Sequence, residues 1–151
     1  MLQKILVPLD GSKLAEKALP YAEALAEKFE AQLLLVLVLQ SPAVPILADP
    51  YGGATLYTYE ESVLDEQRET AQDYLAKFQK KLTQKNILAR ITVLESTSIA
   101  DGIVDIASQE GVDVIVKTTH GRSGLSRWVY GSVATKVLQN APCPIFLVRV
   151  S

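Results

Sequence analysis

Two short segments of this chain combine residue types suited to holding a phosphorylated sugar. The first is Asp10-Gly11-Ser12; the second is Thr118-Thr119-His120-Gly121-Arg122-Ser123-Gly124, which leads on to Gly131-Ser132 at the predicted start of a helix. Backbone N–H groups at a glycine-rich turn and at a helix N-terminus lack internal partners, and the helix dipole places partial positive charge there. Both features favour an anion. A Cβ would block the approach of phosphate to such a backbone, so glycine is suited to it. Ser132 can add a hydroxyl donor and Arg122 a cation, and the run reads as a phosphate cradle. Asp10 can accept hydrogen bonds from ribose hydroxyls. It also fits a turn residue or helix cap, as Gly121 and Gly124 fit ordinary loop glycines.

Other reactive residue types lack partners. His120 is the single histidine and Cys143 the single cysteine, so neither an internal disulfide nor a clustered His/Cys metal centre can form. His120 has no Ser/Asp or Cys companion in view and reads as structural; Cys143, between two prolines, reads as a small buried apolar residue. Trp128 and Tyr130 read as packing the loop or an interface. The chain contains no G-x-x-x-x-G-K-[ST], and no G-x-G-x-x-G follows its first apolar run, which excludes the P-loop and the common dinucleotide fingerprint.

Short Ile/Val/Leu runs alternate with longer stretches of helical period, the pattern of βαβ units. Strands are predicted at Lys4 to Leu9, Gln32 to Leu39, Ala89 to Leu94, Val112 to Lys117 and Pro144 to Val150. Several are apolar at nearly every position, as parallel strands covered on both faces should be. Helices are predicted at Leu14 to Phe29, capped by Ser12 and kinked by Pro20, at Tyr59 to Leu82, at Ile99 to Glu110 with Gly111 as its left-handed stop, and at Ser132 to Asn140 with a hydroxyl cap. The first carries Leu14, Ala18, Ala22, Leu25 and Phe29 on one stripe; the second puts Val63, Gln67, Ala71, Tyr74, Phe78 and Leu82 on one face and, as the longest and most charged helix, should be the most exposed, with the charges from Asp65 to Lys81 on a solvated face. Gln40 to Thr58, rich in Pro and Gly, reads as a long loop. Open parallel sheets bind ligands at the carboxyl ends of their strands where the winding reverses. If the first and fourth strands flank that point, the two segments face each other across one crevice.

At 151 residues the chain fits one domain, and 48% hydrophobic with 21% charged residues is ordinary for a globular fold. Fifteen basic and seventeen acidic residues are mixed along the sequence for a net charge of -2, which argues against a nucleic-acid partner. No stretch approaches a membrane span and the apolar run before Asp10 has five residues, so the expectation is a cytoplasmic protein without membrane contact.

The stretch THGRSGLSRWVYGSVATKVL resembles the universal stress protein family, whose nucleotide-binding members carry G-x-x-G, nine residues, then G-[ST] after the fourth strand. Here Gly121, nine residues and Gly131-Ser132 match, and ILVPLDGS, EGVDVIVK and APCPIFLVRV extend the likeness over the full chain. The resemblance implies a doubly wound α/β fold with a five-stranded parallel sheet, order 3-2-1-4-5, and helices on both faces. It implies binding of ATP, or of AMP or ADP, with Mg²⁺ as a compatible phosphate bridge. Carried over by position, Pro8 and Asp10 line the adenosine side, Val38 offers backbone to the adenine edge, and Gly121, Gly131, Ser132 and Val133 surround the phosphates. Arg122 and Ser123 would be further contacts. The sequence departs from the motif at Thr118, where the family has its first glycine, and at Lys117, where an apolar residue is usual.

The family's members commonly dimerise by pairing the last strand with its twin, which implies a homodimer through Ile145 to Val150. On this reading the chain is a nucleotide-binding regulatory or stress-response module with at most slow hydrolysis. The alternative is a dimeric interaction protein of the same fold without nucleotide.

Overall fold

A computed structural model describes residues 1–41, 53–120 and 131–150. Strands β1 (Lys4–Pro8), β2 (Gln32–Gln40), β3 (Ala89–Ser96), β4 (Val114–His120) and β5 (Ile145–Val150) form one sheet in the order β3-β2-β1-β4-β5. Every neighbouring pair is parallel. The helices are α1 (Lys13–Glu16), α2 (Leu19–Phe29), α3 (Gly53–Gln84), α4 (Ile99–Glu110) and α5 (Ser132–Asn140). This is the doubly wound α/β sheet expected above.

The unbroken apolar strands are explained by the period of two along a strand. Ile5 and Val7 of β1 join Leu33 and Leu35 of β2 in a cluster with residues of α2 and α3. Leu6 joins Leu34 and Val36 in a second cluster, on the other face, with residues of α4 and α5. All seven of these strand side chains are fully buried. Each contributes on the order of 1.5–3 kcal/mol, an upper estimate because the unfolded chain already hides part of its surface. The sheet winds outward from β1 to β2 and β3 on one side and to β4 and β5 on the other. The reversal therefore falls between β1 and β4, registered through Ile5 with Val114 and Leu6 with Ile115.

Several boundaries differ from the expectation, each for a local reason. The first helix is two helices. Proline clashes with the carbonyl four residues back, and for Pro20 that residue is Glu16, where α1 ends. Lys17 and Ala18 make short turns to the carbonyls of Leu14 and Ala15, and Pro20 then falls in the first turn of α2, where its missing N–H does no harm. The buried residues of this stretch are Ala15, Ala18, Leu19, Ala22 and Ala26, and Phe29 is left exposed.

Helix α3 begins at Gly53, so residues predicted as loop up to Thr58 are helical. Among its described side chains the buried ones are Ala71, Leu75 and Leu82; Val63 and Gln67, expected on the same face, are exposed. Val112 belongs to the end of α4, donating to the Ala107 carbonyl beside the left-handed Gly111, and β4 starts later and runs on to His120 because β5 pairs with it that far. Helix α5 is capped by Gly131, not by a hydroxyl: Ser132 is its first helical residue. Cys143 is half-buried against the α4/α5 cluster.

Candidate functional site

At the carboxyl ends of β1, β2 and β4 lies a cavity of about 270 Å³. Its wall takes in Pro8, Asp10, Val38, Thr118, Gly131, Ser132 and Val133, seven of the residues singled out from the sequence. Gly121, Arg122 and Ser123 lie outside the described residues. The cavity volume sits near the lower bound of the ~300–1,000 Å³ typical of small-molecule sites. Three kinds of surface meet in it: a carboxylate, an apolar wall and a helix N-terminus.

The carboxylate is that of Asp10, exposed just beyond β1. Its Oδ1 accepts hydrogen bonds from the Ser12 N–H (2.9 Å) and the Ser12 hydroxyl (2.6 Å). Ser12 Oγ in turn accepts from the Ala15 N–H at 3.1 Å and caps α1. The intervening Gly11 has φ +87°, a conformation that other residues seldom adopt. Asp10 thus serves the turn and faces the cavity at once, so the two readings of it are compatible. The apolar wall is built by Val36 and Val38 of β2 with Ile99 and Ile103 of α4. Helix α4 can lie this close because Gly102 faces the sheet: a Cβ there would stand 2.8 Å from Val38 Cγ1.

The helix N-terminus is that of α5. Gly131 precedes it with φ +82° and ψ +153°, and as the N-cap residue it offers no side-chain cap to the first turn. The Gly131 carbonyl accepts from the Thr135 N–H (3.0 Å) and the Thr135 hydroxyl (2.8 Å), which holds the glycine against the helix it starts. The uncapped N–H groups and the dipole make this end of the cavity electropositive.

The end of β4 closes the floor. Thr118 is a buried strand residue registered with Val148. By parity its side chain shares the face of Val116 and Val148, both in the cluster of α2 and α3. Its Cβ therefore points away from the α4/α5 side on which Val36, Val38 and Ile103 line the cavity.

Lys117 has the opposite parity, that of Ile115, and it lines the cavity together with Pro8 and Asp10. Burial holds its ammonium below the usual lysine range, and the Asp10 carboxylate opposes that shift. The sequence reading treated Lys117 as a departure from a motif rather than as a site residue. The signal available was a single cation closing an otherwise apolar strand, two positions on from a residue bound to be buried. The contributions of Ile99, Ile103, Leu14 and Ala15 were also missed, because they depend on how α4 and α1 pack.

A second, shallower groove of about 650 Å³ lies on the other side of the sheet between α3 and the ends of β1 and β2, lined by Leu37, Leu39, Val63, Gln67 and Tyr74 among others. The Tyr74 phenol, which donates to Glu16 Oε1 at 3.1 Å, is pushed up by burial and then by that hydrogen bond. Among the described residues no group of three or more His, Cys, Asp and Glu is arranged to hold a metal ion, and no helix is long and apolar enough to cross a membrane.

Comparison with known proteins matches residues 1–149 to the universal stress protein family. The universal stress protein MJ0531 of Methanocaldococcus jannaschii is 30% identical over 149 residues, which cover 99% of this chain and 83% of that protein. Among solved structures, UspA of Lactobacillus plantarum superposes with a TM-score of 0.79 at 25% identity over 97% of each chain. A universal stress protein solved in complex with cAMP shares the fold, with a TM-score of 0.61 at 20% identity over 99% of this chain and 98% of that one. The match spans nearly every residue, and the strand order, the reversal between β1 and β4 and the glycine-started α5 all accord with it: the chain belongs to the universal stress protein family.

Proposed function

We propose that this chain binds an adenine nucleotide, ATP or else AMP or ADP, in the crevice between β1 and β4 and works as a regulatory or stress-response module. The observation that carries the reading is the convergence of Asp10, the Val38 wall and the uncapped, glycine-started N-terminus of α5 on one cavity. Each part suits a different part of such a ligand: the carboxylate the ribose hydroxyls, the apolar wall the base, the helix N-terminus the phosphates. A related structure in complex with cAMP adds support that the fold accommodates an adenine nucleotide. Gly121, Arg122 and Ser123 would complete the phosphate side. Mg²⁺ would ride on the phosphates, since Asp10 is the single carboxylate among the described lining residues. Among the described lining residues no second carboxylate or histidine stands ready to activate water, which supports at most slow hydrolysis.

The rival reading, a family member that has lost its nucleotide, rests on Thr118 in place of glycine and on Lys117 in place of an apolar residue. The strand parity of Thr118 weakens it, because the added Cβ is directed to the opposite face. The nucleotide reading is tested by thermal shift. A ligand that binds only the folded state stabilises it by RT ln(1 + [L]/Kd), about 2.7 kcal/mol at 100 times Kd. ATP with Mg²⁺ should raise the melting temperature in a saturable way, and a flat response up to millimolar ATP overturns the reading.

The same proposal includes a homodimer through β5. That strand ends the sheet order, and its Phe146 is 40% exposed, in contact with Tyr21 of α2 at a ring separation of 5.9 Å. An apolar edge of this kind invites pairing with a second strand. A twin β5 about a two-fold axis would supply it.

A further inference from the structure

Among the described residues, Lys117 is the one charged group lining the crevice that the nucleotide reading above leaves without a role. Its side chain lines the cavity floor on the α4/α5 side of the sheet, among Pro8, Val36, Val38 and Ile103. Among the described residues it takes part in none of the ion pairs within 4.0 Å. Holding an ammonium half out of water against apolar neighbours is unfavourable unless an anion or several acceptors meet it. The nearby Asp10 acts on it through space, but both hydrogen bonds to that carboxylate's Oδ1 come from Ser12. Among the described residues the site therefore keeps a positive charge that no ion pair closes, near the carboxylate that would hold ribose.

We infer that Lys117 is a specificity-determining residue that meets the phosphate nearest the ribose, so that the crevice selects a nucleotide over its nucleoside. This rests on the nucleotide reading and goes beyond it. The α5 N-terminus serves the outer phosphates, whereas Lys117 sits on the β4 floor beside Pro8 and Asp10, where the first phosphate must leave the sugar. An apolar residue at this position would leave selection for phosphate to the loop and the helix alone. A lysine makes AMP a good ligand in its own right, because its compact, mobile ammonium needs no fixed geometry to reach a phosphate oxygen.

The test titrates adenosine, AMP and ATP calorimetrically into the wild type, Lys117→Met and Lys117→Arg, with melting curves as the folding control. Met matches the length of Lys in a half-buried site and should fold. The expected result is a wild type that binds AMP at least tenfold tighter than adenosine. Lys117→Met should lose about ten- to hundredfold in AMP affinity, the range for a hydrogen bond to a charged group, while adenosine changes by less than about threefold. Lys117→Arg should recover most of the AMP affinity. A Lys117→Met protein that binds AMP as well as the wild type, or more tightly because Asp10 is freed, overturns the inference and leaves the nucleotide reading standing. A wild type that binds AMP no better than adenosine overturns it without any variant. A wild type that binds none of the three overturns both readings.

Discussion

At Asp10 one carboxylate serves two demands that substitution can separate. Its Oδ1 receives both the N–H and the hydroxyl of Ser12, which positions the cap of α1, and the same group faces the crevice. Asparagine keeps an oxygen able to accept from Ser12 but removes the charge that strengthens hydrogen bonds from ribose hydroxyls. Asp10→Asn is therefore expected to melt close to the wild type while binding ATP about five- to tenfold more weakly. Asp10→Ala should lose that affinity and in addition about 1 kcal/mol of stability through the loosened cap. Calorimetric titration beside thermal melting reads the two effects apart, and an Asp10→Asn protein with full ATP affinity would confine Asp10 to the turn.

Between elements, the closest approach that shapes the crevice is α4 on β2 and β3. A Cβ on Gly102 would come within 2.8 Å of Val38 Cγ1, 3.1 Å of Leu94 Cδ1 and 3.2 Å of Ser96 Cβ. Valine is stiff at χ1 and cannot swing aside freely, so Gly102→Ala should push α4 outward or displace the wall. Overpacking of this kind costs about 1–3 kcal/mol. At ~2–4 °C per kcal/mol for a chain of this size the melting temperature should fall by roughly 2–12 °C, with weaker ATP binding alongside because Val38 lines the site.

The amino ends of β1 and β4 are joined by Asp113. Its Oδ2 accepts from the N–H groups of Gln3 (2.8 Å) and Lys4 (2.9 Å), and these bonds hold its carboxyl below the usual carboxylate range. A depressed carboxylate contributes stability that is present above its unfolded pKa and is lost as pH falls through the folded one. Asp113→Asn should therefore lower the melting temperature at neutral pH. The gap to the wild type should narrow below pH ~4 as the wild-type carboxylate takes up its proton, and equal melting at neutral pH would show the bonds to be idle.

For the whole molecule the open question is the β5 edge. Its inner side is registered with β4 from Ile145 against Ile115 to Val150 against His120, so a partner strand would bond to the outer side. Proline at Leu147 removes one donor and cannot be accommodated in a strand paired on both sides. Light scattering should give a dimer mass for the wild type at tens of micromolar and a monomer mass for Leu147→Pro. A monomeric wild type would refute the strand-paired dimer. Phe146→Glu offers a gentler route to the same end, since it leaves the backbone intact while placing a charge in the contact with Tyr21.

Period and composition along the chain were enough to read five buried parallel strands and the helices between them, because hydrophobic period is a local signal, whereas the reversal beside Asp10 hung on which strands are neighbours and its order was implied by the family resemblance. They were enough also to place Gly131-Ser132 at a helix start, since a glycine with φ +82° stands where only glycine is at ease. What tertiary structure decided was anything that depends on a neighbour. Strand β4 reaches His120 because β5 is there to pair with it, and Phe29, on the predicted apolar stripe, is exposed as the last residue of α2. The role open to Lys117 likewise came from the fold. Read along the chain it is a polar residue ending an apolar run; only the packing of α4 and α5 over that face of the sheet makes it the cation on the floor of the crevice.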